Sequence, residues 1–448
     1  MSVVKPIVTH PVRYPCFYEG HGAAPTIYDK LDALVAFSMR KISLAQNNCL
    51  RIRRDSDDAE IDVGFSGGWL DEQAIKDFGG YNLLSYTEDL TNNLWLKENY
   101  GTNGQIPVVT PNVITNPLTG EQNAAKVDFN AVDSSGVSAI RQVTPNVDGE
   151  QLVEIYLKTI AGSGTKRLRM RMDSDQGAIA KNFDVTENWA KYSINVASNR
   201  TKVRGWSFRL RPITGTDTIA SVYAYAPQWV QGSSSLPYQP RTAGRASDCF
   251  VTTWYGKDGY NATQTTEADQ PKIYDFASGE VTKENGKPAM VFDGAGDHIN
   301  IPNVTGRSNI DAYFVNRHDN ASTTSVMPSR YLYFGRLSAG GYGFVGELNS
   351  TSSKLFSYYG NPNLYKNNTL FTGTHRGDIY NFLGQTQNIV NHQGASVESW
   401  SDLQFGKYSA NMWAFEGTLQ EMAVFDGTLN TQQRADLHAD INNKFNIY

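Results

Sequence analysis

LVEIYLKT (152–159) is followed at once by KRLRMRMD (166–173), and the two together decide the fold. In the second run Arg167, Arg169 and Arg171 alternate with Leu168, Met170 and Met172. On a strand successive side chains point to opposite faces, so the apolar residues go to a core and the three guanidiniums to one outer face. The same texture extends in both directions. AAKVDF, AKYSINV, WSFRLRP and SVYAYAPQWV all alternate, with turn residues between them and no long helical period. Several short strands at regular spacing predict a β-sandwich or jelly roll over residues 81–242.

On the far side of GSSSLPYQPRTAGRASD the texture resumes. FVTTWYG, AMVFDG, DHINI, DAYFVN, RYLYFG, YGFVGEL, KLFSYYG and MAVFDG read as strands. On the near side, Leu50 and Ile52 alternate with Arg51 and Arg53, and Ile61 and Val63 flank Asp62, as in two strands around a polar turn. Asp71 caps a short helix through Phe78 that stops at Gly79-Gly80. Residues 30–45 put Leu31, Leu34, Val35, Ser38 and Ile42 on one helical face, which predicts an amphipathic helix. The last stretch, LNTQQRADLHADINNKFNIY, predicts a helix with Asn430 and Gln433 as a capping box and a buried stripe of Leu437, Ile441 and Phe445. Residues 1–29 hold four prolines and no period, and read as an extended arm.

Composition agrees. The chain of 448 residues is 19% charged and 12% aromatic, with 39 glycines. It is therefore charge-poor against an average of about 25%, and too rich in rings to be disordered. Its net charge of −5 argues against a nucleic-acid binder. Residues 81–242 hold 16 basic and 14 acidic residues, +2, which leaves −7 for the rest. Three cysteines, Cys16, Cys49 and Cys249, do not form a closed disulfide set and suit a reducing compartment. No apolar run of about 18 residues predicts a membrane span, and MSVVKPIVTHPVRYP does not read as a signal peptide.

Two separated stretches resemble one family. AFSMRKIS…CLRIRRDSDDAEIDVGFSGGWLD (36–71) and FVTTWYGKDGYNATQTTEADQPKIYD (250–275), with GKPAMVFDG (286–294), look like the arabinofuranosidase-B-type catalytic domain. EGTLQEMAVFDGTLNTQQRADLHADINNKFNIY looks like the closing strand and helix of laminin-G and concanavalin-type jelly rolls. Between them, NLLSYTEDLTNNLWLKEN and a closing run carrying Gln228, Gly232, Pro237, Tyr238, Pro240 and Thr242 resemble carbohydrate-binding-module-like jelly rolls of bacteriophage virion proteins. The resemblance implies an all-β chain of two β-sandwich or jelly-roll domains, one inserted into the other, with a few short helices and the N-terminal arm. Residues 30–80 plus 243–448 form the enclosing domain and 81–242 the insert. It also implies a virion component, a tail or head fibre, spike or decoration protein, assembled in the host cytoplasm. The implied partners are other virion structural proteins, further copies of the chain (a trimer among the options) and a host-surface glycan. Pro6, Pro11, Tyr14, Pro15 and Phe17 of the arm are the candidate anchor. Where the family has Asp-Gln-Ser after Trp-Tyr, this chain has Gly256-Lys257-Asp258. No catalytic carboxylate pair aligns, so no catalytic role is carried over. The alternative is a glycoside hydrolase of arabinofuranosidase type acting on surface polysaccharide.

The residues themselves suggest where a ligand would sit. Arg209 and Arg211 alternate with Phe208 and Leu210 as Arg167, Arg169 and Arg171 do with their neighbours. If the two strands are adjacent, the insert carries an arginine-lined face. Guanidinium forks suit carboxylates and phosphates, acidic glycans included; the plainer reading is a solvated face paired with nearby acids. Tyr223 and Tyr225 share one strand face and could stack on sugar rings, or could be core. Asp293, Asp297, Glu347 and Glu421 lie near strand ends, where a hydrolase would need two carboxyls, and where structural roles are commoner. Asp55-Ser56-Asp57-Asp58-Ala59-Glu60 invites a calcium reading against a plainer one in which its acids pair with Arg51, Arg53 and Arg54. No histidine pair has metal-ligand spacing, and no cofactor is expected.

Overall fold

The computed structural model describes residues 26–101, 104–133, 135–144, 146–211, 217–241, 245–319, 330–332, 334–336, 341–408 and 412–448. It is an all-β chain of two sandwiches. The inserted one has two antiparallel five-stranded sheets. One runs, in spatial order, Ala190–Val196, Gln151–Thr159, Ile219–Gln231, Ala124–Asn130 and Gln105–Ile114. The other runs Ile179–Val185, Lys166–Met172, Trp206–Leu210, Val137–Gln142 and Leu96–Tyr100. Alternation makes this architecture. The inward residues of both sheets, with Trp95, Trp206, Trp229, Phe129 and Phe208 at the centre, form one apolar core. Its rings meet edge to face, Trp95 on Trp206 at 5.9 Å and Phe129 on Phe208 at 5.8 Å. Two of the three indole N–H groups are satisfied: Trp229 donates to Gln151 (3.0 Å) and Trp95 to the carbonyl of Tyr86 (2.9 Å), while that of Trp206 has no hydrogen-bond partner among the described residues.

The enclosing sandwich draws strands from both sides of the insert. Leu50–Arg54 pairs with Glu60–Val63 on one edge and with Cys249–Tyr255 on the other. Ala33–Ser38 pairs with Glu416–Asp426. The two crossings between the sandwiches lie side by side. Gln239 accepts from the backbone N–H of Tyr81 (2.8 Å), and Arg241 donates to the carbonyl of Gly79 (2.9 Å). Tyr274 donates to the carbonyl of Gly80 (2.8 Å), and Phe276 packs against both cores. Gln228, singled out by the sequence resemblance, holds the closing run in place by accepting from the N–H of Gln239 (2.8 Å) and donating to the carbonyl of Leu236 (3.1 Å).

Several local expectations hold. Asp71 caps the helix Glu72–Gly79, which ends at Gly80. Asn430 and Gln433 form the capping box of Thr431–Phe445, whose Leu437, Ile441 and Phe445 are buried. Others fail. Residues 30–45 are not a helix. Thr26 and Asp29 cap a single turn, Ile27–Lys30, and Ala33–Ser38 is a strand. Five of its six residues are buried, so the strand lacks alternation and mimics a helical face. The same turn takes the end of the 1–29 stretch out of extended conformation. The anchor candidates Pro6, Pro11, Tyr14, Pro15 and Phe17 lie outside the described residues. KLFSYYG is not a strand; the strand there is Gly360–Lys366. The helix Arg376–Leu383 was not anticipated. Cys49 and Cys249 are buried free thiols.

Candidate functional site

The arginine face forms. Leu168, Met170 and Met172 are buried in the inserted core, and so are Trp206, Phe208 and Leu210 of the neighbouring strand. The odd-numbered side chains of both strands therefore point outward. Register sets Arg169 opposite Arg209 and Arg171 opposite Ser207. On the next strand Ser207 faces Arg141. Arg141 thus joins the group. The sequence reading omitted it, although its alternation with buried Ile140 and Gln142 was a sufficient signal.

Most of these guanidiniums are occupied. Arg167 makes a two-pronged pair with Asp184 (2.7 and 2.9 Å), and Arg169 donates to Asn182 (2.8 Å). Arg171 holds Asp173 at 2.7 Å, while Arg141 sits 3.7 Å from both Glu98 and Asp173. The Nε of Arg141 is buried with no hydrogen-bond partner among the described residues, and Arg209 is more isolated still. It is 6% exposed, and its Nε and Nη2 are buried with no hydrogen-bond partner among the described residues. Burial, together with the charges of Arg171, Arg169 and Arg211 against that of Asp173, pushes it down to about 10. Burial and the charges of Arg211 and Arg171 also lower Arg169. Six arginines (141, 167, 169, 171, 209, 211) face three carboxylates (Glu98, Asp173, Asp184), a surplus of three positive charges. A buried cation with unmade hydrogen bonds among like charges is costly. Guanidinium N–H groups without an acceptor have the chemistry to take a carboxylate, sulfate or phosphate.

Tyr223 and Tyr225 do not join this face. Their strand, Ile219–Gln231, belongs to the opposite sheet, so they look out from the other side of the sandwich. Tyr225 is 3% exposed. Tyr238 packs 5.7 Å from its ring centroid, and its hydroxyl donates to Glu88 (2.7 Å). It is therefore closed to a sugar. Tyr223 stays half-buried, with the Lys158 ammonium 5.7 Å from its centroid and from that of Trp189.

The acidic candidates of the enclosing sandwich separate into two groups. Glu421 is 1% exposed and accepts from Arg40 (2.7 Å), Tyr28 and Ser38; Glu347 pairs with Arg376 (3.3 Å). Both have structural partners, Glu421 buried and Glu347 half-buried. Asp293 and Asp297 instead line a cleft of about 800 Å³ with Arg53 and Lys272. Asp293 accepts from the N–H groups of Ala295 (2.8 Å) and Gly296 (3.1 Å), and Asp297 accepts from that of Asp293 (2.9 Å). Burial and the charge of Asp293 push Asp297 up to about 7. The run of acids at 55–60 is tied to arginine: Arg53 holds Asp55 and Asp58, and Arg54 holds Asp57. Arg51 pairs with Asp62 instead.

No family model matches the chain, and no curated protein does. Among solved structures it is similar to the tandem CBM22-1–CBM22-2 domain of Xyn10C from Paenibacillus barcinonensis, at 11% identity and a TM-score of 0.25, over 79% of this chain and 92% of that one. It is also similar to the family 11 carbohydrate-binding module of Clostridium thermocellum, solved with a mixed-linked tetrasaccharide (12% identity, TM-score 0.26, 35% of this chain and 98% of that one). A third is the enzymatically active domain of tailspike protein 4 of bacteriophage CBA120 (14% identity, TM-score 0.26), where the match covers 34% of this chain and 21% of the tailspike chain.

Proposed function

We propose that this chain is a bacteriophage structural protein, a fibre, spike or decoration component, whose inserted sandwich holds an acidic host-surface glycan on its arginine face. The observation that carries the binding role is Arg209, buried opposite Arg169, with its Nε and Nη2 unpartnered among the described residues. An anionic sugar substituent supplies the acceptor that the protein withholds. The virion role rests on the sequence resemblance at 36–71, 81–242 and 250–294. In this reading residues 81–242 are the binding module, 30–80 plus 243–448 the platform, and 1–29 the attachment to other virion proteins. The chain assembles as a homo-oligomer in the host cytoplasm, and oligomerisation multiplies weak glycan contacts.

Binding is tested on an array of carboxylated, sulfated and neutral polysaccharides with the full chain. Acidic glycans are retained at low salt and released as salt rises; retention of neutral glycans alone sinks the arginine reading. Attachment is tested by deleting residues 1–29. Particles assembled with the shortened chain lack it, and normal occupancy removes the anchor. A second reading is favoured by Asp297, which keeps a proton near neutral pH beside the carboxylate Asp293. A glycosidase needs one protonated and one ionised carboxyl. Turnover of a nitrophenyl arabinofuranoside that disappears in Asp297→Asn would put hydrolysis first.

A further inference from the structure

A hollow on the enclosing sandwich has a different chemistry from the arginine face. The turn at 45–48 and the loop at 255–261 enclose about 310 Å³, lined by Gln46, Asn47, Asn48, Tyr255, Asp258 and Asn261. Gln46 is 7% exposed. Its Nε2 donates to the carbonyl of Tyr255 (2.7 Å), and its Oε1 is buried with no hydrogen-bond partner among the described residues. The amide is thus fixed by one end, and the lone pairs of the other are unmet among the described residues. Asn48 and Asn261 are half-buried and Asn47 is exposed. Tyr255 donates its hydroxyl to Asp62 (2.6 Å), which holds a partly exposed ring at the rim.

The charge of the hollow is cancelled from outside. Asp258 is paired with Lys257, a buried side chain that also lies 3.5 Å from Asp29. What remains on the wall is four amides and a ring. Amides offer a donor and an acceptor side by side, which matches adjacent hydroxyls, and the ring offers an apolar face for C–H groups. The volume lies at the low end of small-ligand sites, roughly 300–1,000 Å³, so it takes one ring rather than a chain of them.

We infer that this hollow binds a single neutral, hydroxyl-rich sugar residue. The site is separate from the arginine face, so either can fail alone. The test is saturation-transfer NMR on the full chain with glucose, galactose, arabinose and N-acetylglucosamine at millimolar concentration. At least one sugar receives saturation. Asn48→Ala combined with Asn261→Ala weakens it by about tenfold, as expected for two lost hydrogen bonds. Asn47→Ala, at an exposed position that leaves the fold intact, weakens it less. Arg209→Met leaves it unchanged, and so does raising salt from about 0.05 to about 1 M, because no charge pair is involved. Silence from all four sugars overturns the inference. So does equal binding by the Asn47→Ala and double variants, or loss of binding in salt.

Discussion

Replacing Arg209 by methionine separates stability from binding, because the two should move in opposite directions. In the unliganded protein this guanidinium is buried, its Nε and Nη2 have no partner among the described residues, and Arg169 faces it across the strand. Its value of about 10 stands against an ordinary arginine value of about 12.5. At about 1.36 kcal/mol per pH unit that gap is about 3 kcal/mol held against the folded state. The charges around it, Arg169, Arg171 and Asp173, are half-exposed and hydrated, which screens part of the repulsion, so about 1–2 kcal/mol is the realistic share. The sign is plain. A base whose value falls on folding destabilises the fold at every pH below its folded value, so at pH 7 the whole penalty is present. Methionine keeps the aliphatic stem that covers the sheet and removes the charge.

The variant should therefore melt higher, by about 2–6 °C for a sandwich of this size, while losing the acidic glycan. Scanning calorimetry with and without a sulfated oligosaccharide reads both effects. Wild type gains about 2.7 kcal/mol at a ligand concentration of about 100 Kd, and Arg209→Met gains little. Arg209→Lys, which keeps a charge but not the planar fork, falls between them. If Arg209→Met melts lower and still takes up the ligand, the guanidinium is a packing element and the anion seat lies elsewhere.

Two further predictions concern the enclosing sandwich. Asp297 is an acid raised from 3.8 to about 7. Its penalty is absent below about pH 4, grows as pH climbs to about 7 and is constant above, reaching at most about 4 kcal/mol. In urea titrations Asp297→Asn should match wild type at pH 4 and exceed it at pH 8; equal midpoints at both would show that the carboxyl is not desolvated. Glu421→Gln should lower stability by about 3–5 kcal/mol in the same assay, since it leaves the Arg40 guanidinium buried with Asp440 as its remaining ion pair.

How far the site could be read in advance depended on which neighbours each residue needed. The outward direction of Arg167, Arg169 and Arg171 followed from period two alone, because Leu168, Met170 and Met172 had to be buried. Ala33–Ser38 carried no such signal, because a strand covered on both faces has no polar side to show. Tyr223 and Tyr225 alternated as read, but the ring that closes over Tyr225 belongs to Tyr238, thirteen residues on and beyond the strand. The isolation of Arg209 is harder still to see. Its strand neighbours across the sheet are Ala139 on one side and Arg169 on the other. One offers no polar group and the other offers the same charge, so neither strand neighbour supplies an acid, and the charge of Asp173 acts against those of Arg171, Arg169 and Arg211. That arrangement depends on sheet order and register among three strands separated by up to about seventy residues of chain, which no local pattern encodes. A strand face whose inward half is settled by burial can thus leave its outward half electrostatically unbalanced. It is that imbalance, rather than the number of arginines, on which the proposed anion site rests.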